Sequence, residues 1–222
     1  MDHAHSAVIA TRLVRIPIGH EFLYGDLTVP AAAIGIVVFA HGSGSSRHSP
    51  RNQRVARALQ HRGLATLLID LLTEHEAELD EVTTEYRFDI ALLAQRLVAI
   101  VTWLSRQKET AALPVGLFGA STGAGAALVA AAEVTDVAAV VSRGGRPDLA
   151  GAALADVRAP TLLIVGGRDA QVIEMNREAM AQMQAPVSLE LVPGATHLFE
   201  EPGALDRVAA MAADWFERHM TR

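Results

Sequence analysis

Six short runs of apolar, largely β-branched residues punctuate the chain: "IGIVVFA" (34–40), "ATLLID" (65–70), "PVGLFGA" (114–120), "VAAVVS" (137–142), "TLLIVG" (161–166) and "SLELVP" (188–193). Near-continuous apolarity, without alternation, predicts strands covered on both faces, as in a parallel sheet. Between them lie segments of helical period at 51–61, 89–105, 123–133, 172–183 and 203–219. The clearest is 89–105, where Ile90, Leu93, Leu97, Ile100, Val101 and Leu104 form one stripe behind Asp89 as N-cap. The stretch 11–30 differs: it alternates imperfectly and holds Gly19-His20 and Gly25-Asp26, which predicts an antiparallel edge ribbon. Strand–helix alternation after it gives an α/β class, a mostly parallel sheet with helices on both faces. No repeat or linker divides residues 1–222, so one domain is expected.

One segment departs from this rhythm. "TEHEAELDEVTTEYRFD" (73–89) follows a strand and is rich in acid. It reads as a solvated loop with a helical turn, or as a mobile flap over a site.

Charge and composition narrow the partners. A net charge of −6, with basic residues scattered along the chain, argues against nucleic acid. The absence of cysteine removes disulfides, thiolate metal sites and a cysteine nucleophile. The first residues lack a basic region followed by a long apolar core, and the longest apolar stretch, "AAAIGIVVFA", is too short to span a bilayer. A cytoplasmic protein without a signal peptide or membrane span is expected, and the sequence leaves open whether it is a monomer or a homodimer.

Candidate chemistry sits where strands end, since open α/β sheets bind ligands beyond the carboxyl ends of their strands. The run 114–120 ends at Ser121 inside "GASTGAG", a G-x-S-x-G followed by the small-residue helix 123–133. That strand–turn–helix context presents a serine on a sharp turn, with helix amides nearby for developing negative charge. A serine nucleophile needs a base, and the base an orienting acid. The run 161–166 leads into "GGRD", which puts Asp169 beyond a strand end, and 188–193 leads into "PGATHLF" with His197. Serine, aspartate and histidine thus follow successive strands, the order of the α/β-hydrolase triad.

The remaining histidines are poorer bases. His3 and His5 belong to the tail, His61 and His219 to helix C-termini, His20 to the edge ribbon and His75 to the acidic segment. Asp148 competes with Asp169 as the acid but precedes the wrong strand. An oxyanion hole calls for one amide after the nucleophile, that of Thr122, and one from an earlier loop. After the first parallel strand comes "HGSGSSRHSPRN", from which Ser43 N–H is assigned, with Gly44 as the alternative and His41 as a group bonded within the loop. That loop holds neither a Walker lysine nor a G-x-G-x-x-G, so it is no phosphate cradle.

With these motifs in order, the chain resembles an α/β-hydrolase of the dienelactone hydrolase-like superfamily, over nearly its whole length. "HGSGSSRHSPRN" and "SRGGRPDLAG" are similar to those of small bacterial hydrolases whose relatives occur fused to phosphoribosyltransferase domains. The resemblance implies an eight-stranded, mostly parallel sheet with no inserted cap. Dienelactone hydrolases proper use cysteine, where this chain has Ser121. The expected activity is serine hydrolysis of a small-molecule carboxylic ester, thioesters second, without cofactor or metal; a lactone-type hydrolase and a non-catalytic interaction protein are the alternatives. Arg47, Arg143 and Arg146 emerge on the same rim, either to hold an anionic group of the substrate or to brace the loops by pairing with carboxylates such as Asp148.

Overall fold

The computed structural model describes residues 10–221. In chain order the elements are β1 (Thr11–Ile18), β2 (Glu21–Thr28), β3 (Gly35–Ala40), α1 (Pro50–His61), β4 (Leu64–Ile69), α2 (Glu74–Thr83), α3 (Ile90–Leu104), β5 (Val115–Ala120), α4 (Thr122–Glu133), β6 (Val137–Arg143), β7 (Thr161–Gly166), α5 (Ala170–Met180), β8 (Val187–Val192) and α6 (Ala204–Met220). The eight strands form one sheet in the order β1-β2-β4-β3-β5-β6-β7-β8. From β4 through β8 all neighbours are parallel, while β2 joins both β1 and β4 in antiparallel fashion.

The apolar runs are buried for the expected reason. Every residue of β3, β4 and β7 is buried, because helices cover both faces. On one face α3 and α4 contribute Leu93, Leu97, Ile100, Ala127 and Leu128 to the core. On the other, α1 and α6 close over Phe39 and Phe118, whose ring centroids lie 4.8 Å apart. The edge ribbon turns at Gly19-His20, as expected; Gly25-Asp26 instead lies inside β2, with Gly25 opposite Ile69 of β4.

The acidic segment is not a loop. Thr73 caps α2 by accepting from Glu76 N–H (3.3 Å), and the Glu76 carboxylate accepts from Thr73 N–H (2.9 Å), a reciprocal capping box that starts a helix despite few apolar residues. Glu76 also accepts from Arg96 on α3 (2.5 Å), and the Thr73 hydroxyl donates to Glu21 on β2 (2.9 Å). Asp80 is buried and receives Arg87 three ways: backbone N–H to Oδ1 (3.0 Å), Nε to Oδ2 (2.5 Å) and Nη2 to its carbonyl (2.8 Å). Burial alone would raise the Asp80 carboxyl, but these bonds and the Arg87 charge hold it below the ordinary carboxylate range. The segment is therefore a capped helix stapled to the sheet and to α3.

Candidate active site

The turn after β5 carries one of the four non-glycine residues with positive φ among the described residues. Ser121 takes φ 51°, ψ −122°, a conformation that costs a non-glycine residue on the order of 1–3 kcal/mol. Its neighbours hold it there. Ser121 N–H donates to Arg143 O (3.3 Å), and Ser121 O accepts from Ala124 N–H (3.1 Å) and Arg146 N–H (3.1 Å). Glycines at 119 and 123 permit this turn, since a Cβ at Gly119 would overlap Ala124 and one at Gly123 would overlap Ala40 O and His41 O. α4 starts at once after Ser121, so its first amides face the turn. Among the described residues the Ser121 hydroxyl makes no hydrogen bond of its own.

Asp169 follows β7 and stands at the N-cap of α5, yet it caps nothing. Its Oδ2 instead accepts from His197 Nδ1–H at 2.8 Å. The two loops are knitted by their backbones: Gly167 N–H donates to Val192 O (2.9 Å) and Arg168 N–H to Ala195 O (2.9 Å). They approach so closely that a Cβ at Gly166 would stand 2.5 Å from Thr196 O and 2.6 Å from Ala195 O. The aspartate side chain is 16 % exposed and the imidazole 40 %, so the pair is shielded on the acid side and open on the base side. With Nδ1–H given to Asp169, Nε2 is left as the proton acceptor. Asp148 is excluded from this role, since both its oxygens accept from Arg146, at 2.8 and 2.7 Å.

The loop after β3 reaches the same turn. Ser43 N–H donates to Thr122 Oγ1 (2.8 Å), and a Cβ at Gly42 would lie 3.1 Å from Ser121 Cβ. Gly42, the residue before the amide assigned to the oxyanion hole, thus packs against Ser121, and that amide is engaged by the Thr122 hydroxyl. His41 is fixed by its own bonds: Nε2 accepts from Leu71 N–H (3.2 Å), which leaves Nδ1–H to donate to Gly42 O (3.0 Å). Burial pushes its imidazole below the ordinary histidine value, against the opposing pull of the Gly42 bond and the Asp70 charge. His41 is therefore a neutral strut. Beside this loop, a cleft of about 320 Å³ opens between His41–Ser45 and the α2 side, where Leu72, Ala77 and Leu93 form its apolar wall. A second, of about 400 Å³, runs from Ser45 and Ser46 toward Leu13 and Tyr24.

The three arginines differ. Arg47 N–H donates to Asp70 Oδ1 (2.7 Å), its guanidinium pairs with Asp70 Oδ2, and Asp26 lies 3.7 Å away. Arg146 is held by Asp148, which raises its pKa. Arg143 alone of the three is buried, 9 % exposed, with Nη1 sealed from solvent and without a hydrogen-bond partner. Burial, and then the charge of Arg51 in the first turn of α1, lower its pKa to about 10. Of the other histidines, His75 lies in α2, and His3 and His5 are outside the described residues.

The model of the dienelactone hydrolase family matches residues 23–221. The chain belongs to that family. Its eight-stranded sheet without a large cap is an α/β-hydrolase scaffold. It is similar to a solved dienelactone hydrolase from Anabaena variabilis, with 57 % identity, TM-score 0.93, and coverage of 95 % of this chain and 98 % of that one. It is also 57 % identical, over 221 residues, to a putative phosphoribosyl transferase of Mycobacterium tuberculosis, matching 99 % of this chain and 49 % of that protein. The chain thus spans about half the length of the curated relatives it matches. Est1E from Butyrivibrio proteoclasticus, at 15 % identity and TM-score 0.77, over 94 % of this chain and 98 % of that one, shares the fold alone. Among the described residues no helix is long and apolar enough to cross a membrane.

Proposed function

We propose that the chain is a serine hydrolase that cleaves a carboxylic ester, with thioesters as second choice, through an acyl-enzyme. Ser121 Oγ attacks the carbonyl carbon while His197 Nε2 takes its proton. The carbonyl π electrons move to oxygen, and the amides of Thr122 and Ser43, the latter shared with the Thr122 hydroxyl, receive that oxyanion. Collapse expels the alcohol, which leaves with the proton from His197. Water then adds to the acyl-enzyme by the same steps in reverse, with His197 as base, releasing the acid and restoring Ser121. Asp169 orients the imidazole and stabilises its cation.

The observation that carries this reading is the 2.8 Å bond from His197 Nδ1 to Asp169 Oδ2, on loops at the carboxyl ends of the strands, where Ser121 occupies its strained turn. Labelling with a fluorophosphonate probe tests it. Ser121 is expected to take the label, with none taken by Ser121→Ala; labelling of another residue, or of none, overturns the assignment.

A lactone-type hydrolase is the second reading, favoured by the dienelactone hydrolase name of the 57 % identical Anabaena protein. It differs only in that the leaving alcohol stays tethered to the acyl group, and a panel of lactones and open esters ranks the two. Phosphoribosyl transfer names proteins about twice this length, and the first strand–helix turn here, "HGSGSSRHSPRN", lacks the phosphate-cradling patterns.

A further inference from the structure

The helix that begins at Asp169 also reaches toward the serine turn. Asp169 O accepts the first bond of α5, from Ile173 N–H (2.9 Å), while its side chain faces His197. About two turns further on, Asn176 lies on the buried face of that helix with Val172, Ile173 and Ala179, and is fully enclosed. Its Nδ2 donates to Val172 O (2.8 Å) on its own helix and to Gly145 O (3.1 Å) in the segment after β6. Both amide hydrogens are thereby used, and the first bond fixes the side chain that makes the second.

Residues 144–146 lie between the serine and the histidine. Gly144 N–H donates to Ile164 O of β7 (2.7 Å), and Arg146 N–H donates to Ser121 O (3.1 Å). A Cβ at Gly144 would stand 3.1 Å from His197 O and 3.6 Å from His197 Cε1. Gly145, between them, is buried and has no slack, since a Cβ there would overlap Ser142 Oγ and Ala124 Cβ. Asn176 therefore grips the middle of a segment whose two ends meet the histidine and the serine.

Packing does not explain this polar residue. Its neighbours on the buried face are apolar, and its own Oδ1 is buried without a hydrogen-bond partner, a cost that an apolar side chain would avoid. What the asparagine supplies is a donor for the Gly145 carbonyl, and a buried carbonyl needs one.

We propose that Asn176 is a positioning residue: by holding Gly145 it sets the Ser121 turn against the His197–Asp169 pair. The proposal rests on the hydrolase reading of that site. One helix then carries the acid at its start and the tie to the nucleophile two turns along, so both halves of the triad are placed from the same rigid element.

The test compares Asn176→Leu, which keeps the bulk and removes both donors, with Val172→Ala, which truncates the same helix face and leaves the two carbonyl acceptors in place. With p-nitrophenyl butyrate, kcat should fall ~10–100-fold in Asn176→Leu, the effect of a displacement near 1 Å at a reacting group, with KM within about twofold of wild type. The rate of fluorophosphonate labelling at Ser121 should fall by a similar factor. Val172→Ala should lose stability in urea with kcat unchanged. A wild-type kcat in Asn176→Leu, a loss carried by KM, or an equal kcat loss in Val172→Ala overturns the proposal. If Asn176→Leu does not fold, Asn176→Ala decides it, and failure of both to fold overturns it in favour of a purely structural role. Crystal structures of wild type and variant give a readout independent of turnover. Residues 144–146 and Ser121 should shift by ~0.5 Å or more relative to His197; superimposable positions overturn the proposal. Should the fluorophosphonate fail to mark Ser121 in wild type while this shift is seen, the hydrolase reading falls and the placing of the turn by Asn176 stands.

Discussion

Ser43 N–H donates to the hydroxyl of Thr122 across 2.8 Å, tying the loop after β3 to the residue that follows the serine elbow. The bond fixes one expected oxyanion donor relative to the other, whose amide belongs to Thr122 itself. Thr122→Val keeps the shape and removes the acceptor. It should lower stability by about 1 kcal/mol, the usual net value of one hydrogen bond. It should also lower kcat by roughly 10-fold, less than the 10²–10³ for losing a donor outright, with Thr122→Ser restoring most of it. A raised kcat in Thr122→Val would show instead that the hydroxyl competes with the oxyanion for the Ser43 amide.

On the proposed mechanism, in which Ser121 and His197 act as a unit, Ser121→Ala and His197→Ala should each reduce kcat by roughly 10⁴-fold or more, and the double variant should cost little beyond either alone. Circular dichroism should be unchanged, since both side chains end loops outside the packed clusters. Retention of most esterase activity by Ser121→Ala would end the assignment.

Gly166→Ala tests the loop contact that sets the His197–Asp169 bond. The added methyl would sit 2.5 Å from Thr196 O and 2.6 Å from Ala195 O, both backbone atoms, so the loops must part. A displacement near 1 Å at a catalytic group can cost ~10²-fold in rate. The expected outcome is a kcat loss of that order with the fold retained; wild-type kcat would mean that the two loops separate without moving the histidine.

The sequence made the sheet legible because parallel strands covered on both sides need continuous apolar runs, and β3, β4 and β7 are buried at every position. The order of Ser121, Asp169 and His197 was readable because each follows its own strand, and the structure joins the latter two by a hydrogen bond. Helix α2 was missed because it buries only Asp80, so no apolar stripe announces it. The signal was present nonetheless in Thr73 and Glu76, the T-x-x-E spacing of a capping box. The arginines could not be sorted from sequence. Arg47 meets Asp70, 23 positions on, while Arg143 is buried with Nη1 unpartnered, so only the packed chain shows which charge is paired.

His41 supplies a prediction about acid. Its imidazole is held neutral in the fold, below the ordinary histidine value, chiefly by burial. The unfolded chain takes up a proton near pH 6.5 that the folded chain refuses until lower pH, so the unfolded state binds more protons in that window. Stability contributed by neutral His41 is thus complete above about pH 6.5 and is lost as pH falls below it, by at most ~1.4 kcal/mol per pH unit. His219, also lowered by burial and by Arg218, adds a slope of the same sign. Urea unfolding of wild type and His41→Gln at several pH values from 8 to 5 separates the two. The variant should be less stable at pH 8, having lost the bond from Leu71 N–H, yet its stability should fall less steeply on acidification. Equal slopes for the two proteins would mean that His41 accepts its proton in the folded state as readily as in the unfolded one.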